Sequence, residues 1–160
     1  MNGSAPLAGA LTLLTLLTAS AAHAQTLEGY TAVGSGRYSN QFASGKMGPT
    51  IAAGADVLFA RRFGVEGEVG LDEFFPTVSL DGMVQLRPRA SARVAPFIRA
   101  GFTHTNAEYS ASYNGPNVGG GVILWLRPRT GLRVEYLHVV QNAFGWTENH
   151  DLGRVGVSFR

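Results

Sequence analysis

The stretch Phe63-Gly64-Val65-Glu66-Gly67-Glu68-Val69-Gly70-Leu71-Asp72 alternates with a period of two. Val65, Val69 and Leu71 fall on one face, and Glu66, Glu68 and Asp72 on the other. Successive side chains of a strand point to opposite faces, so this pattern reads as a strand with one apolar and one charged side. Gly131 to Tyr136 repeats it, with Leu132, Val134 and Tyr136 against Arg133 and Glu135. At the C-terminus Val155, Val157 and Phe159 alternate with Arg154, Gly156 and Ser158. No segment after Gln25 carries a helical stripe.

The same template fits eight strands, near 26–38, 49–60, 63–72, 78–87, 95–105, 117–127, 131–140 and 151–160. Every second connection is Arg-rich: Arg61-Arg62, Arg87 to Arg93, and Arg127-Pro128-Arg129-Thr130. The intervening ones, 39–48, 73–77, 106–116 and 141–150, carry Asn, Ser, Gly and aromatic residues, and Asn114-Gly115 reads as a turn signal. Leu-Arg-Pro-Arg occurs at 86–89 and 126–129, as recurring turn chemistry.

Composition narrows the class. The chain has 160 residues, 45% hydrophobic and 15% charged, with 21 Gly, no Cys and a net charge of +2. One domain is expected at this length. A disulfide scaffold and a thiolate metal cluster are excluded. Disorder does not fit so apolar a chain of low net charge. The basic excess is too small and dispersed for nucleic-acid binding.

Residues 1–24 read as a cleavable signal peptide. Leu7 to Ala22 form an apolar helix-like run, and Ala22-His23-Ala24 is an A-x-A cleavage signature before Gln25. The segment before the run has no Lys or Arg, which departs from the usual pattern. The mature domain is then 25–160, and the protein is exported.

A strand of about ten residues, tilted, crosses the hydrocarbon core of a bilayer. Its backbone groups must all be paired there, so the sheet closes on itself. An even number of strands with alternating short and long connections fits an all-β, eight-stranded, antiparallel up-and-down transmembrane β-barrel. Aromatic residues fall into two groups. Phe59, Phe63, Phe97, Trp125 and Phe159 lie near the Arg-rich turns. Tyr38, Phe74, Phe75, Tyr109, Tyr113 and Phe144 lie near the opposite ends. These are expected to form two interfacial girdles. Seven of the twelve Arg residues lie in the three Arg-rich turns, where they can meet anionic lipid headgroups.

The signal segment, the eight strands and the final Leu152-Gly153-Arg154-Val155-Gly156-Val157-Ser158-Phe159 together resemble the small outer-membrane barrels of the OmpA/OmpX type. The resemblance covers the whole mature chain. It implies a monomer in the outer membrane of a Gram-negative bacterium, with periplasmic termini, extracellular long loops and outer-membrane lipids as neighbours. It also implies that the last strand, with Gly156 and Phe159, is the signal read by the outer-membrane assembly machinery. That family's chains usually end on the aromatic, whereas Arg160 follows here.

Glu28, Asp56, Glu66, Glu68, Asp81, Arg99, Arg133, Glu135 and Arg154 share the face opposite the lipid stripe. A charge facing lipid near the midplane costs about 2–4 kcal/mol, so these nine are expected to point inward. An eight-stranded interior is just wide enough for side chains, which predicts a paired, plugged lumen with a structural or surface-interaction role. The alternative is a small porin-like channel.

The run Tyr136 to Ala143 resembles the lipid A deacylase barrels. His138 matches that family's His, but its Ser position is Val140, Gln141 stands where its Asn falls, Asn142 comes one residue late, and Glu148 or Asp151 fits the acid only loosely. Without a hydroxyl there is no nucleophile for His138 to activate. His104, His138 and His150 with Glu148 and Asp151 are candidate metal ligands near the outer rim, but no tight pair such as His-x-His exists. Gly119-Gly120-Gly121 lacks the Lys-Ser/Thr of a phosphate loop. No catalytic residue, metal or cofactor is assigned. A soluble calycin-like barrel binding apolar ligands would turn Val65, Val69 and Leu71 inward.

Overall fold

In the computed structural model, which describes residues 26–40, 44–59, 62–73, 75–86, 92–106, 112–143 and 146–160, the alternating segments become eight strands. They are β1 (Thr26–Asn40), β2 (Ser44–Phe59), β3 (Phe63–Asp72), β4 (Phe75–Gln85), β5 (Val94–Asn106), β6 (Ser112–Arg127), β7 (Thr130–Ala143) and β8 (Trp146–Phe159). Each strand pairs antiparallel with the next, and β8 returns to β1 to close the barrel. The closing seam runs from Gly29 opposite Phe159 to Asn40 opposite Glu148. Ala22, Ala24 and the rest of the signal segment lie outside the described residues.

The period of two decides which side of the wall each residue takes. Val65, Val69 and Leu71 are 45%, 59% and 45% exposed on the outer surface, while Glu66 is buried inside. Leu27, Ile51, Leu80, Ile98, Phe102, Val118 and Val134 continue the apolar outer band around the barrel. A soluble barrel would hide these residues, so the calycin-like alternative fails on orientation. Every strand is bonded on both edges, as a sheet in hydrocarbon requires.

The strands run further than composition indicates. β2 begins at Ser44 rather than 49, β6 at Ser112 rather than 117, and β8 at Trp146 rather than 151. The expected connections 39–48, 106–116 and 141–150 are therefore mostly strand. Tyr38 pairs with Lys46, His104 with Asn114, and Gln141 with Glu148. Asn114-Gly115 is no turn but part of β6. Gly, Ser and Asn are poor strand formers alone, but ladder bonds to a neighbouring strand override that preference. The longest gap between strands is now 86–93, at the Arg-turn end, so connection length does not alternate as expected.

Glycine matters most at the seam. Gly156 faces inward opposite Ala32, and a Cβ there would run into the Thr31 carbonyl and the Ala32 backbone. The absent side chain lets β8 approach β1 closely enough to close the sheet.

Candidate functional site

The interior of the barrel is built in layers. At the Arg-turn end Leu58, Met83, Ala95, Phe97, Ile123 and Trp125 pack into an apolar stopper. Phe97 and Trp125, expected in the outer girdle, are only 2% and 4% exposed and sit in this layer. The physical reason is strand parity. Phe97 lies two residues before Arg99, so it shares that residue's inward face. The Arg160 guanidinium carbon lies 4.1 Å from the Trp125 ring centroid, and Arg160 Nε donates to the Pro128 carbonyl at 2.6 Å. The residue after the last aromatic thus covers the stopper.

Above the stopper the register places Glu28, Asp56, Glu66 and Asp81 as successive cross-strand neighbours on β1 to β4. Four carboxyl groups in one row repel each other. Three arginines from β5, β7 and β8 answer them. Arg133 Nη2 lies 2.9 Å from Glu66 Oε2 and 2.8 Å from Glu135 Oε2, and its Nη1 is 3.3 Å from Asp56 Oδ2. Arg99 pairs with Glu66, with Glu68 at 3.0 Å and with Asp81 at 3.1 Å. Arg154 lies 2.9 Å from Glu68 Oε1 and 2.8 Å from Glu135 Oε1. Glu28 accepts from Gln85 Nε2 at 3.1 Å. The nine charges singled out in the sequence therefore lie inside the wall, and eight of them form one connected ion-pair network.

Tyr30 completes it. Its hydroxyl donates to Glu66 Oε1 at 2.6 Å, also touches Glu68, and accepts from Arg99 Nη1 at 3.2 Å. Its ring lies 3.7 Å from the Arg133 guanidinium carbon, which is also 4.4 Å from the Phe97 ring centroid. Two aromatic faces thus flank one cation, an attraction that strengthens away from water. Tyr30 lies two residues from Glu28, so parity fixes its inward direction, although no charge or motif marks it in the sequence.

Polar side chains then continue toward the other end. Asn117 Nδ2 donates to Asp81 Oδ1 at 2.8 Å and to Thr103 Oγ1 at 2.9 Å. Ser79 and Thr103 hydroxyls are 2.9 Å apart, and Thr50 donates to Asp72 at 2.5 Å. Beside them Leu137, Val139 and Leu152 form a second apolar cluster.

The remaining girdle residues divide. Phe63 and Phe159 are 60% and 49% exposed on the outer surface, and Phe59 pairs with Phe63. Tyr38, Phe75 and Tyr113 do not face lipid but line a cavity at the end opposite the Arg turns. They have the inward parity of Asp72, Ser79 and Asn117. Phe74, Tyr109 and Phe144 lie outside the described residues.

The histidines do not converge. His138 is on the outer face, with Nδ1 2.8 Å from Asp151 Oδ1, and Tyr136 also bonds Asp151. His150 is inside, 3.6 Å from Glu148, and His104 bonds Asn114 and Asn106 at 2.6 and 3.0 Å. Among the described residues no three His, Asp or Glu side chains form a metal-holding group. Gln141 points inward and is 1% exposed, on the opposite side of β7 from His138. The deacylase-like arrangement is thus split across the wall.

Residues 9–160 match the model of a family described as the outer membrane protein beta-barrel domain. Among solved structures the fold is similar to neisserial surface protein A, at TM-score 0.65 and 13% identity, covering 84% of this chain and 97% of that one. The N-terminal barrel domain of Pseudomonas aeruginosa OprF gives TM-score 0.59 and 17% identity, covering 86% and 100%. Ail, the attachment invasion locus protein of Yersinia pestis, in complex with the heparin analogue sucrose octasulfate, gives 0.54 and 13%, covering 83% and 99%. No curated protein matches the sequence.

Proposed function

The chain belongs to the outer membrane protein beta-barrel domain family, and we propose that it is a monomeric barrel whose lumen is closed by its own side chains. It lies in the Gram-negative outer membrane, held by outer-membrane lipids and inserted by the assembly machinery. The observation that carries this reading is the stack of apolar stopper and ion-pair network, which occupies successive levels of the same narrow interior. Such a barrel performs no catalytic step. It serves the envelope as a rigid wall element and presents its hairpin end to the surroundings.

The orientation follows from the family: termini and Arg turns in the periplasm, hairpin end outside. Because the chain has no Cys, a single introduced thiol reports its own side of the membrane. Lys46→Cys reacts with a membrane-impermeant maleimide on intact cells, and Arg93→Cys reacts only after the outer membrane is opened. The reverse pattern refutes the orientation. Recovery of the protein in the soluble periplasmic fraction without detergent refutes the membrane reading.

A further inference from the structure

The hairpin end of the lumen opens into a cavity of ≈ 270 Å³ that the ion-pair plug does not use. Asp72, Glu73 and Glu148 line it together with the rings of Tyr38, Phe75 and Tyr113. Tyr38 packs edge-on against His150, with centroids 4.7 Å apart. Among the described residues the ion pairs bring Lys46 to this mouth, and His150 Nε2 lies 3.6 Å from Glu148 Oε2. The Lys46 side chain is 80% exposed and its Nζ is 3.6 Å from Glu73 Oε2.

Two features mark this mouth as built rather than incidental. Glu73 is the only described non-glycine residue with a positive φ, at 56°. A hydrogen bond donated by the Glu73 backbone N–H to the Pro49 carbonyl oxygen, 2.9 Å, holds it there. In this conformation its side chain lies over Gly48, where any Cβ would collide with Glu73 Cγ and its carboxyl group. A strained residue, placed over a glycine that makes room for it, puts a carboxylate at the opening. The second feature is unmet hydrogen-bonding capacity. Gln141 is 1% exposed, and its Nε2 donates to Thr105 at 2.8 Å. Its Oε1 is buried without a partner, as is the Tyr38 hydroxyl. Buried polar atoms left this way cost free energy unless something else meets them.

We propose that this mouth binds a small organic ammonium ion, seated among the three aromatic rings and the carboxyl groups of Asp72, Glu73 and Glu148. An acidic excess with aromatic faces and a spare carbonyl acceptor is what such a cation recognises, through charge, cation–π attraction and N–H donation. A bare metal ion fits less well, because it needs ligands converging at short range and the described residues hold no such group. The volume lies just below the usual range of ligand cavities, roughly 300–1,000 Å³. It therefore suits a short amine rather than a folded partner. The site does not depend on whether the plug below conducts.

The test is calorimetric titration of the full barrel in detergent micelles with putrescine at low ionic strength, with acetate as the anionic control. Saturable binding at one site is expected for putrescine and none for acetate. Glu73→Gln and Glu148→Gln are each expected to weaken binding by about 5-fold, and Phe75→Leu by about 2- to 5-fold. Lys46→Met removes the competing cation and is expected to tighten binding by a few-fold. That gain cannot come from a damaged barrel. Absence of putrescine binding by the wild-type protein, equal affinity in all four variants, or a preference for acetate overturns the proposal.

Discussion

Arg133 on β7 reaches across the barrel to Glu66 on β3, with Nη2 2.9 Å from Oε2 and both side chains fully buried. This pair ties opposite walls together at the level where the carboxyl row is densest. Removing one member of a buried pair leaves an uncompensated charge, which typically costs about 3–5 kcal/mol. Arg133→Leu is therefore expected to lower the unfolding free energy of the barrel, read from urea titration in micelles, by that amount. Adding Glu66→Leu is expected to recover part of the loss. A double variant no more stable than Arg133→Leu alone would show that the two residues do not act as a pair.

The apolar stopper makes a separate prediction. Phe97→Ala is expected to cost about 3–5 kcal/mol, as for a large buried aromatic. It is not expected to open an ion path, because Arg99, Arg133 and Arg154 remain paired above it. Stability and bilayer current measured on the same variant separate the two effects.

The outer surface predicts a dependence on depth. Val69 is 59% exposed in the apolar band, opposite Ala53 and Val78. Val69→Arg is expected to destabilise by about 2–4 kcal/mol in a bilayer. Asn114 faces outward next to His104, beyond the apolar band. Asn114→Arg is expected to cost about 0–1 kcal/mol. Equal costs in reversible unfolding from liposomes would mean that the apolar band does not meet lipid.

The seam predicts that Gly156→Val destabilises by about 1–3 kcal/mol, the usual cost of overpacking. The effect is expected to appear as slower β8–β1 closure in time-resolved folding into micelles. Phe159→Leu shortens an outward side chain at the end of the seam without adding an atom between β8 and β1, and is expected to fold at the wild-type rate.

Much of this architecture was legible from parity alone. Glu66 and Val65 differ by one position, and in a period-two strand that fixes inside and outside. The same rule applied from Arg99 puts Phe97 inside, against its assignment to a girdle by position near a strand end. Strand length was less legible. Ser, Gly and Asn at 44–48, 112–115 and 147–149 mark where the lipid band stops, while the hydrogen-bonded ladder continues past it. The ion-pair partners were not readable, because which carboxylate meets Arg133 depends on the barrel's closure across 67 residues of chain. Nor was the mouth, whose carboxylate position depends on the turn conformation at Glu73.

Single-channel recording decides whether side chains close the lumen. Purified protein inserted into planar bilayers is expected to give no stable conductance steps under symmetric salt. Reproducible nanosiemens steps from the wild-type barrel would mean that the lumen is open.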